Sequence, residues 1–152
     1  KDAYNGYQSA TECLEKSSNV GAVKILNYVG IDRAAAYLHR LEIEVPQSDR
    51  SLALALGAMS EGVTLRELAG GYSALANGGE YLRPSLIRRV EDGDGNTIYR
   101  HGESGERVFS EETAYLTGKM LMSVVKNGTA KKMSFNDYPI LAGESGQRKD
   151  AE

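Results

Sequence analysis

The segment GVTLRELAGGYSALANGGEYLRP, residues 62–84, carries the clearest local structure signals in the chain. Its Thr64-Leu65-Arg66-Glu67 has the form of a capping box, in which a Thr hydroxyl and a Glu carboxylate satisfy unpaired amides at a helix start. Apolar residues then recur at helical spacing until Asn77-Gly78-Gly79, which is typical of a helix end. The segment therefore predicts a helix followed by a tight turn. Its apolar positions are Leu65, Leu68, Ala69, Tyr72, Leu75 and Ala76.

Capping signals on either side of this segment predict four further helices. Ser9-Ala10-Thr11-Glu12 is a second capping box and predicts a short helix to about Lys16. The next helix carries Val20, Val23 and Leu26, and Gly30 is expected to end it in a left-handed C-cap. Asp32 is expected to cap a helix that runs through Leu41, and Ser110 to begin the longest helix, which ends at Asn127-Gly128. On this longest helix, the expected core residues are Leu121, Met122, Val124 and Val125.

β-structure is predicted in two places. Asp92-Gly93-Asp94-Gly95-Asn96 is a turn between two short runs and predicts a polar surface hairpin between Leu82 and Arg100. Tyr138–Gly143 is an apolar run of strand length. The predicted class is α+β, a single partial domain over residues 1–152 with a helical cluster and part of an antiparallel sheet.

Composition excludes several function classes. The chain has 152 residues, of which 41% are hydrophobic and 26% charged, and a net charge of −3, so it lacks the basic excess of a nucleic-acid-binding protein. No run reaches the ~20 apolar residues that span a bilayer. A single cysteine, Cys13, excludes an internal disulfide, and the two histidines are too few for a structural zinc site. We expect no metal and no cofactor.

No side-chain pattern in the sequence indicates a catalytic site by itself. His39 and His101 have no evident Ser or Cys partner, and both are expected at the surface. No glycine-rich segment has the Gly-Lys-Ser/Thr of a phosphate loop.

Seven stretches of the chain, taken in order, carry a family resemblance: Ala10–Val23, Leu54–Gly57, Gly62–Ala69, Tyr72–Tyr81, Pro84, Val124–Ala130 and Leu141–Gly143. They resemble the transpeptidase domain of bifunctional (class A) penicillin-binding proteins, which shares its fold with the serine β-lactamases. This resemblance implies a serine acyltransferase that acts on peptidoglycan stem peptides and is acylated by penicillins and other β-lactams.

The family uses three motifs, S-x-x-K with the nucleophilic serine, S-x-N, and K-T-G on a strand at the cleft. Only S-x-N is intact, as Ser17-Ser18-Asn19, and nothing before Ser17 has the form S-x-x-K. By resemblance, the Ser17 hydroxyl passes a proton between the lysine of S-x-x-K and the leaving amine, and the Asn19 amide holds the acyl-side peptide group. Without the resemblance, the same three residues are equally good as a helix N-cap before Val20. We expect Ser17-Ser18-Asn19 to lie at a helix junction and to face the strand that carries Ser145 and Gly146.

The third motif departs from the family pattern. Ala142-Gly143-Glu144-Ser145-Gly146-Gln147 aligns with Ala-Gly-Lys-Thr-Gly-Thr, so that a glutamate replaces the lysine. Ser145 keeps a hydroxyl for a substrate carboxylate, and Gly146 suits a strand that lies close to its neighbour. Because Glu144 reverses a charge, acylation is expected to be weak, unless Arg148, four residues along on the same strand face, supplies the cation.

The resemblance also implies a larger parent protein. We expect these residues to be an inactive fragment of a serine-type D-Ala-D-Ala transpeptidase, with a membrane anchor and a glycosyltransferase domain upstream and its site on the extracytoplasmic face of the membrane. The incomplete sheet is expected to leave an open edge that could pair with a second copy. Peptidoglycan stem peptides and β-lactams are the expected partners.

Two alternatives remain open at this point. The chain could be a degenerate transpeptidase-like module that binds wall peptides or partner proteins without acyl transfer, a reading motivated by Glu144. It could also come from a serine β-lactamase or carboxypeptidase of the same fold. The segment from Tyr72 to Glu80 resembles the synthases more closely.

Overall fold

The structure, a computed structural model, describes residues 6–102 and 104–133. Helices dominate these residues, and the strands are short. The α-helices are α1 (Ala10–Glu15), α2 (Asn19–Val29), α3 (Ile31–Arg40), α4 (Leu65–Ala76) and α5 (Glu111–Asn127). The strands are β1 (Glu80–Tyr81), β2 (Arg89–Glu91), β3 (Thr97–Arg100) and β4 (Glu106–Arg107). Single 3-10 turns lie at Gln47–Asp49, Leu52–Leu56 and Lys131–Met133.

Helices α1, α4 and α5 begin where their capping signals predict. At α1 the Glu12 amide donates to Ser9 Oγ at 3.2 Å, and the Ser9 amide donates back to Glu12 Oε2 at 2.8 Å. The same reciprocal pair forms between Thr64 and Glu67 at α4. At α5 the Thr113 amide donates to the Ser110 hydroxyl at 3.2 Å. Both predicted capping boxes and the start of the longest helix are therefore confirmed.

The junction between α2 and α3 differs from the prediction. Gly30 does end α2, but its φ of 93° is combined with a ψ of 135°, so its backbone is not in the left-handed helical region. Gly30 is at once the C-cap of α2 and the N-cap of α3, and no side chain caps α3. The prediction that Asp32 caps α3 is wrong, because a one-residue junction places Asp32 inside the first turn. Its carboxylate instead accepts a hydrogen bond from Arg50 at 3.3 Å.

Two separate antiparallel pairs make up the described β-structure. Strand β2 pairs with β3, and the Asp92 carboxylate accepts the Asn96 amide at 2.8 Å across the turn. All residues of this hairpin's strands are exposed, so the predicted surface hairpin is confirmed. Strand β1 pairs with β4, with Tyr81 opposite Glu106. The run Tyr138–Gly143 lies outside the described residues.

The main core joins α3, α4 and the β1–β4 pair. Gly79 makes this packing possible, since a Cβ on it would lie 2.3 Å from the carbonyl oxygen of Phe109 and its φ is +93°. The Gly79 carbonyl accepts the amides of Val108 and Phe109 at 2.9 and 3.0 Å. The buried cluster consists of Leu41, Ile43, Ala74, Tyr81 and Val108.

The long helix α5 packs against both α1 and α4. Of its predicted core residues, Met122 is buried, whereas Leu121, Val124 and Val125 are half-buried. Tyr72 on the outer side of α4 is exposed. No helix within the described ranges is both long and apolar enough to cross a membrane.

Candidate active site

The S-x-N motif lies where α1 ends and α2 begins. The Ser18 amide donates to the Cys13 carbonyl at 2.8 Å, and the Ser17 amide donates to the Leu14 carbonyl at 3.1 Å. This pair of bonds is a Schellman motif, which requires the residue after the C-cap to take a left-handed conformation. That residue is Ser17, whose φ is 51°. Glycine is usual at such a position, because a Cβ is strained there.

The middle serine, not the first, caps α2. The Gly21 amide donates to Ser18 Oγ at 3.2 Å, and Asn19 is the first helical residue. Ser17 and Asn19 are exposed, and their side chains have no hydrogen-bond partner within the described part of the chain. The capping interpretation is therefore correct for Ser18 alone. It leaves the Ser17 hydroxyl and the Asn19 amide available to a ligand.

Helices α1 and α2 pack closely next to the junction that carries the motif. A Cβ on Gly21 would lie 2.7 Å from Cys13 Sγ, so α1 and α2 approach without a side chain between them. Cys13 is half-buried in this contact as a free thiol. The junction is therefore stabilised by the Schellman hydrogen bonds at the end of α1 and by the contact between Cys13 and Gly21.

The second half of the predicted site lies outside the described residues. This applies to Glu144, Ser145, Gly146 and Gln147, and to Arg148. Whether the S-x-N motif faces that segment therefore stays a prediction. The helix-junction half of the prediction is confirmed by the position of Ser17 and Asn19.

One Ser-x-x-Lys does occur after the S-x-N motif, at Ser123-Val124-Val125-Lys126. It differs from a catalytic arrangement because Ser123 lies within α5 and its hydroxyl donates to the Glu15 carboxylate. The Ser123 hydroxyl is thus directed at a carboxylate that ties α1 to α5. The expected order of the motifs, with S-x-x-K before S-x-N, does not predict this later pair.

Metal binding has no support in residues 6–102 and 104–133, where no three His, Cys, Asp or Glu side chains are grouped to hold an ion. His39 is exposed and its Nδ1 lies 2.6 Å from Glu44 Oε1. His101 Nε2 lies 3.2 Å from the Arg83 carbonyl oxygen. Both histidines are thus engaged in local contacts.

An open cleft between α3 and the β1–β4 pair collects opposite charges. Arg40 Nε donates to Glu106 Oε1 at 2.7 Å, and Arg83 forms an ion pair with Glu42, with Nε 3.1 Å from Oε2. Burial, together with the charge of Glu42, raises the pKa of Tyr81. Neither Ser17 nor Asn19 lines this cleft. Because its arginines are already paired, the cleft does not compete with the helix junction as the candidate site.

Known proteins are similar to this chain in both sequence and fold. The family model of the penicillin binding protein transpeptidase domain matches residues 1–147. The chain is 38% identical over 143 residues to penicillin-binding protein 1F of Bacillus subtilis, a match that covers 94% of the chain and 20% of the relative. The chain thus spans about a fifth of the length of this curated relative.

Two solved structures show the same fold. Penicillin-binding protein 3 of Mycobacterium tuberculosis, complexed with aztreonam, superposes with a TM-score of 0.73 at 25% identity, over 88% of this chain and 37% of that one. The D,D-transpeptidase domain of a peptidoglycan glycosyltransferase from Eggerthella lenta superposes with a TM-score of 0.68 at 21% identity, over 88% of this chain and 40% of that one. These matches confirm the predicted α+β class.

Proposed function

Because the chain belongs to the penicillin-binding protein transpeptidase family, we propose that it supplies the S-x-N part of a peptidoglycan D,D-transpeptidase. In this reaction a serine attacks the penultimate D-Ala carbonyl of a stem peptide, terminal D-Ala leaves, and the acyl group passes to an amine. β-Lactams would acylate the same serine. The observation that carries the proposal is the exposed pair Ser17 and Asn19, presented at a helix junction whose cap is made by Ser18.

Each motif residue has a chemical task in this proposal. The Ser17 hydroxyl both donates and accepts, so it can pass a proton between a neighbouring amine and the leaving group. The Asn19 amide can hold the peptide group on the acyl side. Ser145 and Gln147 would bind the substrate carboxylate end, with Glu144 and Gly146 on the same segment. The nucleophile would come from residues ahead of Lys1, and no cofactor is required.

We assign the parent protein to the outer face of the bacterial membrane. The relative in Bacillus subtilis is about five times longer than its match to this chain, which leaves room for the anchor and the glycosyltransferase domain that the resemblance implies. Within the described residues each antiparallel pair has only two strands, so a free strand edge could pair with a second copy, and sedimentation velocity of the isolated chain would detect the resulting dimer.

A chimera tests the proposed function. The chain replaces the matched segment of Bacillus subtilis penicillin-binding protein 1F, whose own residues ahead of it supply the S-x-x-K motif. Acylation by a fluorescent penicillin is then followed in the chimera and in its Glu144→Lys variant. We expect the chimera to be labelled. In Ser17→Ala the rate of labelling should fall at least about a hundredfold, which is the size of a general acid–base contribution.

The matched control is Ser85→Ala, which removes an exposed serine hydroxyl with local hydrogen bonds to Ile87, away from the S-x-N motif, and which should label within about threefold of its parent. Chimeras that fold but are not labelled, with or without Glu144→Lys, would contradict the proposed function. That result would favour the non-catalytic module, for which the charge of Glu144 is the supporting observation.

A further inference from the structure

The last residue of α1, Glu15, ties that helix to α5 through its side chain. The Ser123 hydroxyl donates to Glu15 Oε1, and Asn127 Nδ2 donates to the same oxygen at 3.4 Å. Asn127 Nδ2 also donates to Ser123 Oγ at 3.2 Å. Because Ser123 and Asn127 are four residues apart on α5, they present their donors on one helix face. One carboxylate oxygen thus joins two turns of α5 to the end of α1.

The backbone makes a second connection at the same place. The Thr129 amide donates to the Glu15 carbonyl at 3.0 Å, directly after α5 ends. A Cβ on Gly128 would lie 2.5 Å from that carbonyl oxygen and 2.9 Å from Glu15 Cα. Only glycine therefore allows this contact. The sequence predicts only a helix end at Gly128, because the helix that Gly128 approaches is more than a hundred residues away in the chain.

This connection lies next to the S-x-N motif. Ser17 follows Glu15 by two residues, and its left-handed conformation depends on bonds to the Cys13 and Leu14 carbonyls in the same turn of α1. The last turn of α1 therefore fixes the backbone conformation from which the Ser17 side chain projects. The position of this turn relative to α5 is set by the contacts of Glu15 and Gly128.

We propose that Glu15 and Gly128 are positioning residues for Ser17, which hold the end of α1 against α5 and so fix the motif hydroxyl. This role rests on the proposed function. Proton transfer needs heavy atoms within about 2.6–3.2 Å, and a shift of about 1 Å can lower a rate about a hundredfold. A carboxylate that accepts two side-chain donors limits such movement more than one neutral hydrogen bond would.

Amide hydrogen exchange in the intact chain tests the structural part. In Glu15→Ala we expect the Ser17 and Ser18 amides to exchange at least tenfold faster, while the Leu68 and Asn77 amides of α4 change less than threefold. Glu15→Gln keeps an acceptor oxygen and should stay within threefold of the unsubstituted chain. Gly128→Ala is a second variant with the same expected pattern. If all four amides accelerate together, Glu15 acts on overall stability and the proposal is wrong.

Acylation of the chimera in the Glu144→Lys background tests the functional part. We expect Glu15→Ala to lower the rate of labelling by fluorescent penicillin at least tenfold and Glu15→Gln to restore it to within threefold. Glu106→Ala, which removes an ion-paired carboxylate on β4, is the matched control and should have no effect. Unchanged labelling in Glu15→Ala would overturn the positioning role and leave the proposed function intact. A folded chimera that is never labelled would instead overturn the proposed function, and the positioning role with it.

Discussion

Ser17 keeps a side chain at a backbone position that favours glycine. A left-handed conformation costs an ordinary L-residue about 1–2 kcal/mol, and most helices that end this way place glycine there. The hydroxyl of Ser17 has no partner within the described residues that could offset this cost. A strained side chain without a structural contact is the pattern expected of a group retained for chemistry.

Replacing Ser17 with glycine should stabilise the chain. Ser17→Gly removes the strain, but glycine also has more freedom in the unfolded state, so the expected net gain is about 0.5–1 kcal/mol. Ser17→Ala keeps a Cβ and should change the free energy of unfolding by less than about 0.5 kcal/mol. Urea unfolding of the three proteins measures both effects. A loss of stability in Ser17→Gly would show that the serine hydroxyl makes a stabilising contact.

The charge of Glu144 should limit acylation. Lysine at this position would attract a substrate carboxylate, and opposite charges about 4 Å apart gain about 4 kcal/mol at an effective dielectric constant of 20. In the chimera, Glu144→Lys should therefore raise the rate of acylation by penicillin at least tenfold, equivalent to about 1.4 kcal/mol of barrier.

If Arg148 supplies the positive charge that Glu144 lacks, we expect a different pair of results. The rate would then be unchanged in Glu144→Lys and would fall in Arg148→Ala. The control variant is Lys149→Ala, which should leave the rate unchanged. Lys149 neighbours Arg148 in sequence, and in a regular strand the two side chains would lie on opposite faces.

At the scale of the helix, stability at the start of α4 should depend on pH. Hydrogen bonds from the Thr64 side chain and then its backbone amide lower the pKa of Glu67 below its usual 4.5. Since the folded pKa is the lower one, this stabilisation is fully present above about 4.5 and is lost as the pH falls toward the folded value.

Glu67→Gln isolates this effect. The stability difference between the unsubstituted chain and Glu67→Gln should be present at pH 7 and shrink below pH 4.5, as measured by urea unfolding at a series of pH values. Comparing the two proteins at each pH removes the contribution of the other carboxylates. A difference that is constant from pH 7 to pH 3 would contradict the charge-dependent capping box.

Local signals predicted the elements that local contacts build. The Ser9 and Thr64 capping boxes lie within four residues, so the sequence alone specifies them. Asp32 was assigned wrongly because a single residue, Gly30, serves two helices, which leaves no room for a separate cap. The left-handed Ser17 could not be predicted from a pattern that expects glycine.

Contacts between distant parts of the chain account for the rest. Gly79 approaches Phe109, and Gly128 approaches Glu15, across separations for which a single sequence contains no signal. Both glycines were interpreted only as helix ends. The resemblance to the family identified the motif residues, but it said nothing of the contacts that hold them.

Taken as a whole molecule, the isolated chain should not react with penicillins. No S-x-x-K precedes Ser17, and the one Ser-x-x-Lys present holds its serine against Glu15. Mass spectrometry after incubation with benzylpenicillin should show an unmodified chain, with intact penicillin-binding protein 1F as the positive control. A stoichiometric adduct would be located by Ser123→Ala and Ser17→Ala, and an adduct on either serine would contradict the assigned motif roles.

The contact between Glu15 and Ser123 also sets the order in which the molecule can be assembled. The two residues are 108 positions apart, and closing a loop ten times longer than another costs about 2 kcal/mol more in chain entropy. The β2–β3 hairpin and the α2–α3 pair form from neighbouring residues and need no such closure. On a ribosome that adds about 5–20 residues per second, α1 emerges roughly 5–20 s before its partner on α5. The nascent chain therefore presents Ser17 on an untethered helix end, and the motif acquires its final geometry only when α5 arrives.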